Sequence, residues 1–145
     1  MSVAEEVLFE ARRWIDTPYR HGGSRCKVGC DCLGLVRGIW RVLYGDEPQP
    51  VPAYSMDWAE TSTVDPLIDA ARLHMTSKAL ISAEPGDLVV FRWRDGVAAK
   101  HLGILASADR FIHAYEGHCV MESALVPQWR KRIAGVFAFP DRSSD

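Results

Sequence analysis

The sequence predicts an α+β fold in which N-terminal helices pack on an antiparallel sheet of about five or six strands. Apolar residues recur with a helical period in the first half of the chain, whereas the second half holds short apolar and β-branched segments separated by turns. The chain has 145 residues and 48% hydrophobic content, enough for a core without disulfides or a structural metal. We therefore expect a single domain over residues 1–145.

Two helices joined by a loop are predicted in the first part of the chain. Ser2 and Glu5 have capping-box spacing, and the period that follows predicts a helix over about residues 3–15. Residues 17–29 are rich in proline, glycine and arginine without a period, which indicates an ordered loop. Residues 32–44 are apolar almost all round and are followed by a glycine, a pattern typical of a buried helix.

The middle of the chain predicts an extended crossing and a third helix. Residues 46–57 contain three prolines and are expected to cross the surface, with Tyr54 and Trp58 as candidates for a partner or substrate rim. Asp65 precedes a proline, as an N-cap precedes a first helical residue, which predicts a short helix over about residues 66–75.

Two histidines fall in the predicted strands of the second half. The strand candidates are the segments "GDLVVFRW", "HLGILA", "RFIHAY", "CVMES" and "IAGVFAF". His101 begins one of them and His113 lies in the next. An antiparallel hairpin centred on Ser107 would place both imidazoles on the same face of the sheet.

Cys32, at the start of the second predicted helix, is a candidate nucleophile. If the sheet face that carries the histidines packs against this helix start, the three side chains form a nucleophile, a base and an orienting residue. The unpaired N–H groups and dipole of a helix N-terminus favour a thiolate, and with a nearby imidazolium they lower a cysteine pKa from about 8.5 to roughly 3.5–7.5. These residue types predict nucleophilic cysteine catalysis.

Charge and hydropathy argue against two classes of protein. The formal net charge is −2 and basic residues are interspersed with acidic ones, so the basic face of a nucleic-acid-binding protein is missing. Charged residues interrupt the first 14 positions where a secretory signal needs an apolar stretch, and no later segment approaches membrane-spanning length. We expect a protein made in the cytoplasm without a signal peptide and not inserted into a membrane.

Five motifs in order resemble a known family. "TPYRHGG", "GCDCLGLV", "EPGDLVVF", "KHLGIL" and "FIHAY" have the order and approximate spacing of the NlpC family of cell-wall cysteine peptidases, which has a papain-like fold. The resemblance runs from about residue 14 to residue 139. It implies a hydrolase that uses neither a metal nor a cofactor and that cleaves bacterial peptidoglycan stem peptides, often between D-γ-glutamate and a diamino acid.

The resemblance also implies roles for individual residues. Cys32 matches the nucleophile, His101 the general base and His113 the polar residue that orients it. Tyr19 matches the loop tyrosine that faces the nucleophile and helps to form the oxyanion pocket. Asp31 matches the acidic residue before the nucleophile, an expected contact for a substrate amine.

Leu33 departs from the family pattern, which usually has serine after the nucleophile. Leucine here resembles the phage-tail branch, and "RCKVGCDCLGLVRGIWRVLYG" resembles members from gene transfer agents. This implies a component of a phage-like tail particle that acts at the target cell wall, with tail-tip hub or baseplate proteins as partners. Together with Asp31, we expect Leu33 and Gly34 to bind substrate.

Three alternatives stay open at this point. Cys26, Cys30 and Cys32, with His21 or Cys119, could supply four ligands to zinc or an iron–sulfur cluster, although the C-x3-C-x-C spacing matches no common knuckle. The domain could also be a structural tail-tip adaptor with marginal activity, or an N-acyl amidase on the same fold.

Overall fold

The computed structural model describes residues 1–49 and 65–142. The helices are α1 (Val3–Arg13), α2 (Cys32–Tyr44), α3 (Pro66–His74) and α4 (Pro127–Arg130), with one 3-10 turn at Leu80–Ser82. The strands are β1 (Ser24–Arg25), β2 (Gly29–Cys30), β3 (Thr76–Lys78), β4 (Leu88–Phe91), β5 (His101–Ser107), β6 (Arg110–Ala114), β7 (Val120–Ala124) and β8 (Ile133–Ala138). Most of the predicted crossing, with Tyr54 and Trp58, lies outside the described residues.

The strands of the second half form one antiparallel sheet. Within the described residues it has six strands in the order β3-β8-β4-β5-β6-β7, while β1 and β2 form a separate two-stranded hairpin that begins in the predicted loop and ends one residue beyond it. The predicted α+β class, with helices packed on an antiparallel sheet, is confirmed. The chain reaches this arrangement because consecutive strands pair as neighbours from β4 to β7.

One face of the sheet packs against α1 and α2. Leu102 and Ile104 of β5 belong to the same buried cluster as Leu35 and Ile39 of α2, and all four are at most 3% exposed. Burying one such aliphatic side chain contributes about 1.5–3 kcal/mol. This face therefore holds most of the apolar core.

The opposite face is smaller and aromatic. Leu105 of β5 and Phe111 of β6 lie there in a second buried cluster, together with Val89, Phe91 and Leu125. The short helix α4 covers this cluster with the half-buried Trp129. Because side chains alternate between the faces of a strand, His101 and His113 belong to this second face.

Three details of the predicted elements are corrected. Helix α1 ends at Arg13, two residues early, and the chain turns away at Asp16 with a left-handed φ of 76°. Asp65 makes no side-chain cap to α3, since its carboxylate accepts hydrogen bonds from the Arg92 guanidinium (2.5 Å) and the Ala99 N–H (3.1 Å) instead.

The third detail is the register of the β5–β6 hairpin. The pairs Ile104–Ile112 and Leu105–Phe111 centre it on Ala108, with a bulge before Ser107, whereas the prediction centred it on Ser107. The displacement moves the pairing by an even number of residues, so both histidines still share a face, as predicted.

Candidate active site

The carboxylate of Asp31 caps the N-terminus of α2. As the N-cap, it accepts a hydrogen bond from the Gly34 N–H (2.7 Å) through one oxygen, and through the other it accepts the N–H of Gly22 (2.8 Å) in the preceding loop. The residue is 3% exposed. This double contact fixes the loop to the helix end and holds Cys32 as the first helical residue.

Gly34 lies beneath that loop. A Cβ built on it would stand 1.7 Å from the Gly23 carbonyl oxygen, and its own carbonyl accepts the Ser24 hydroxyl (2.7 Å). Any larger residue would push the loop off the helix, which gives Gly34 a structural role. The residues that line the described pocket include Asp31 and Leu33 but not Gly34.

The two predicted histidines are joined by a hydrogen bond. His101 Nε2 lies 2.8 Å from His113 Nδ1, and their rings meet edge to face with centroids 5.0 Å apart. They are 7% and 0% exposed. On the far side, His113 Nε2 lies 2.8 Å from the Ser123 hydroxyl of β7. These two hydrogen bonds therefore link the side chains of His101, His113 and Ser123 in a row across β5, β6 and β7.

Aromatic rings enclose His101. Trp93 stacks on it with an interplanar angle of 18° and a centroid distance of 5.8 Å, while Trp129 lies at 5.4 Å and Phe91 at 5.8 Å. Sequence reasoning missed Trp93, Trp129 and Ser123. The types of these residues carry no specific signal, and only the strand register and the placement of α4 bring them to the histidines.

A pocket opens at the end of the sheet where β5 begins. The Cys32 thiol donates to the Lys100 carbonyl oxygen, with Sγ and O 3.6 Å apart, directly before His101. The cavity measures about 110 Å³. It is lined by Tyr19, His21, Asp31, Cys32, Leu33, Leu67, Trp93, Lys100, His101, Ala114, Tyr115, Glu116 and Trp129. The predicted nucleophile and base therefore share one pocket.

The route by which they meet differs from the prediction. The histidines lie on the face that α4 covers, whereas α2 packs on the opposite face. Cys32 lines the same pocket as His101 because it is the first residue of α2 and stands at the end of the sheet, where β5 starts. The face of the sheet that holds the histidines does not itself pack against α2.

Burial dominates the protonation of this pocket. It raises the pKa of the Cys32 thiol to about 12, with a further rise from the Asp31 carboxylate, and nearby backbone N–H groups offset only part of the increase. The N–H groups of the helix start thus lower the cysteine pKa, but burial outweighs them, and the net pKa is raised rather than lowered as the sequence predicted. Burial also lowers the pKa of His101 to about 3, helped by His113, and that of His113 to about 4. The resting residues are a thiol and two neutral imidazoles.

Tyr19 lies in the loop that precedes Cys32, and both residues line the pocket. It forms a parallel bridge with Cys30, two residues before Cys32, and lines the same pocket. Burial raises the pKa of its phenol, with smaller contributions from Cys32 and Asp31. The phenol therefore keeps its proton and can donate it in a hydrogen bond.

Cys26 and Cys30 make different contacts and, among the residues that the structure describes, do not form a metal site. Cys30 packs in the core at 0% exposure, and the Cys26 thiol donates to the Arg13 carbonyl oxygen (3.5 Å). Across residues 1–49 and 65–142, no group of three or more His, Cys, Asp or Glu side chains is placed to hold a metal ion. In the same ranges, no helix is both long enough and apolar enough to cross a bilayer.

Comparison with known proteins identifies the family. The profile of the NlpC/P60 family matches residues 16–138, so the chain belongs to the NlpC/P60 family. It is 31% identical over 134 residues to gamma-DL-glutamyl hydrolase of Bacillus subtilis, covering 92% of this chain and 29% of that protein. It is 29% identical over 133 residues to murein DD-endopeptidase MepS/murein LD-carboxypeptidase of Escherichia coli, covering 91% and 61%. The chain thus spans less than two thirds of each relative.

Solved structures share the fold. The NlpC/P60 domain of the peptidoglycan hydrolase SagA superposes with a TM-score of 0.63 at 22% identity, covering 94% of this chain and 98% of that one. An NLP/P60-family lipoprotein-like protein of Staphylococcus aureus gives 0.64 at 19% identity, covering 97% and 42%. The predicted papain-like α+β architecture is confirmed by these similarities.

Proposed function

We propose that this chain is a cysteine endopeptidase that hydrolyses peptidoglycan stem peptides. The observation that carries the proposal is the pocket shared by Cys32, at the start of α2, and His101, whose Nε2 is already bonded to His113. That bond leaves Nδ1 of His101 as the nitrogen for the thiol proton. A thiol, an imidazole and a third polar ring in this order make a nucleophile, a base and its orienting residue.

The proposed reaction proceeds through a thioester. The Cys32 proton passes to His101 as Sγ attacks the carbonyl carbon of the peptide, and the new C–S bond gives a tetrahedral oxyanion. The C–N bond then breaks, and the amine leaves with the proton from His101. Water, deprotonated by His101, attacks the thioester and releases the acid and the thiol.

Two donors are proposed to stabilise the oxyanion. They are the Tyr19 hydroxyl and the backbone N–H of Cys32, the first residue of a helix whose early N–H groups have no helical acceptor. Asp31 and Leu33 line the same pocket and are proposed to contact substrate, Asp31 through an amine. Two hydrogen bonds from backbone N–H groups already engage the Asp31 carboxylate, so an amine would share an oxygen.

The bond that we propose is the one between D-γ-glutamate and a diamino acid. The name of the Bacillus subtilis relative specifies a γ-DL-glutamyl hydrolase, and that of the Escherichia coli relative specifies a murein peptidase. The first name supports a glutamyl bond as the bond that is hydrolysed, and the second supports a murein peptide as the substrate.

We propose further that the domain works in a phage-like tail or gene-transfer-agent particle. On this proposal it is made in the cytoplasm and acts at the target cell wall, with tail-tip hub or baseplate proteins as partners. The support is the sequence resemblance around Leu33 in "GCDCLGLV". Antibodies against the chain should label the tail tips of purified particles, and particles free of the chain would contradict this assignment.

The hydrolytic proposal is tested on purified peptidoglycan with the wild-type chain and Cys32→Ala as the inactive control. Mass spectrometry of the products should show a newly freed amine on the diamino acid, in the wild-type digest only. A peptide released from muramic acid would identify an amidase instead. An absence of products would favour a structural adaptor. Either of the last two results would refute the endopeptidase assignment.

A further inference from the structure

We propose that Ser123 is a positioning residue that holds His113 in the tautomer that His101 requires. Its hydroxyl oxygen lies 2.8 Å from His113 Nε2, while His113 Nδ1 lies 2.8 Å from His101 Nε2. The inference rests on the proposed function, because the tautomer matters only if His101 accepts the thiol proton.

Two arrangements of protons satisfy both hydrogen bonds. In the first, His101 Nε2–H donates to His113 Nδ1, and His113 Nε2–H donates to the Ser123 oxygen. In the second, the Ser123 hydroxyl donates to His113 Nε2, and His113 Nδ1–H donates to His101 Nε2. A neutral imidazole carries one N–H, so the first arrangement leaves His101 Nδ1 bare and the second leaves it protonated.

Only the first arrangement makes His101 a base towards Cys32. It places an N–H at Nε2 of His113, a ring that is 0% exposed, and a buried N–H needs an acceptor. Ser123 provides that acceptor. Without the Ser123 hydroxyl, the buried N–H at Nε2 of His113 has no acceptor. The tautomer with the proton on Nδ1 of His113 is then favoured, because His101 Nε2 accepts a hydrogen bond from that N–H.

The sheet fixes Ser123 in this place. On β7 it lies opposite Phe111, and Met121 lies opposite His113, so Ser123 is on the histidine face and diagonal to His113. The next residue back, Glu122, alternates to the other face, where Arg12 and Arg110 bind its carboxylate at 2.8 and 2.7 Å. These contacts hold β7 in register from the opposite side.

The test compares Ser123→Thr with Ser123→Val, two substitutions of the same shape that differ in the hydroxyl. Two-bond ¹⁵N–¹H spectra of the full chain report which nitrogen of His113 is protonated. Mass spectrometry reports the rate at which iodoacetamide alkylates Cys32. In the wild type and Ser123→Thr we expect the proton on Nε2. In Ser123→Val we expect a shift towards Nδ1, and both alkylation and kcat about 10- to 100-fold lower with little change in KM.

Three results would overturn the inference: a wild-type His113 protonated at Nδ1, a valine variant with the wild-type tautomer and rates, or equal losses in both variants. The spectra and the alkylation rates need no substrate. If the wild type leaves peptidoglycan intact while the two variants still differ in these measurements, the proposed function fails and the role of Ser123 stands.

Discussion

The two faces of the six-stranded sheet have different compositions. The face against α1 and α2 is mainly aliphatic: Ile104 and Ile112 lie on it at 0% exposure and belong to the same buried cluster as Leu35 of α2. The face under α4 combines a small apolar cluster with two imidazoles and the indole of Trp129. One sheet therefore separates the bulk of apolar packing from the polar side chains of the candidate site.

This division has a physical reason. Polar groups inside a large aliphatic cluster would lose water without gaining partners, whereas next to aromatic edges and a neighbouring strand each imidazole finds a hydrogen bond. The site meets α2 at its first two residues, Cys32 and Leu33, at the end of the sheet. Substitutions on the two faces should consequently affect different properties.

The largest effect is expected for Cys32→Ala. Removing the nucleophile should lower the rate of muropeptide cleavage by about 10⁴-fold or more, because no thioester can form. The unfolding midpoint should change little, since Cys32 packs only at the edge of the apolar core and the substitution removes a single sulfur atom. Rates from a chromatographic cleavage assay and a urea denaturation curve check both parts.

A chelator added to the wild-type enzyme is the companion measurement. Cleavage should continue unchanged in excess EDTA, because the proposed steps use the cysteine, the histidines and backbone donors. Activity that persists in Cys32→Ala, or that disappears with EDTA, would contradict the mechanism.

The next largest effect is expected on the aliphatic face. Ile39→Ala should lower the free energy of unfolding by about 2–5 kcal/mol, since Ile39 is fully buried and its loss leaves a cavity. The turnover of the molecules that remain folded should stay close to that of the wild type.

Val42→Ala is the matched control on the same helix. Val42 is 57% exposed, so its truncation should change the free energy of unfolding by no more than about 0.5 kcal/mol. Equal losses in the two variants would show that the helix face is wrongly assigned.

The aliphatic face was the easier one to predict. The apolar run from Cys32 to Tyr44 gives the helix its observed bounds. His101 and His113 still share a face although the hairpin centre moves from Ser107 to Ala108, because each pairing partner then changes by two residues. Periodicity is a local property, so it can be read without knowing which strands are neighbours.

The rest of the site depends on long-range placement. Ser123 is ten residues from His113 in the chain, and Trp129 reaches His101 only through the position of α4. The pKa of Cys32 likewise follows burial, which outweighs the local effect of the helix start. Cross-strand register and desolvation arise from the assembled fold, and a single sequence does not reveal them.

As the pH falls from 7.5, we expect the free energy of unfolding to decrease first through protonation of His101 and His113. The folded pKa values of His101 and His113, about 3 and about 4, lie below the ordinary 6.5, so the unfolded chain binds more protons in between. The contribution of the two histidines to the free energy of unfolding is therefore fully present above pH 6.5. It decreases as the pH falls below that value, by up to about 1.4 kcal/mol per pH unit for each histidine. Urea denaturation at pH 7.5, 6.0 and 5.0 measures this slope.

His113→Asn should roughly halve that slope while the chain remains folded at pH 7.5. The lowered pKa values of Glu47 and Glu122 change the free energy of unfolding only below about pH 4.5. The measurements at pH 5.0 and above therefore report the histidines and not these two carboxylates. A free energy of unfolding that is constant from pH 6.5 to 5.0 would show that the imidazoles are not buried as described.

The smallest effect is expected for Leu33→Ser, at the boundary between the two regions. Leu33 packs on the aliphatic cluster and also lines the pocket, so it can influence substrate preference without contacting the histidines. A serine hydroxyl can add one hydrogen bond to a substrate, typically 0.5–1.5 kcal/mol, or about 2- to 13-fold in kcat/KM.

Leu33→Ala removes the same apolar side chain without adding a hydroxyl and is the matched control. Competition between two stem peptides that differ at one residue measures the change in preference. If the serine and alanine variants prefer the same peptide to the same extent, the hydroxyl has no role at this position, and Leu33 serves packing alone.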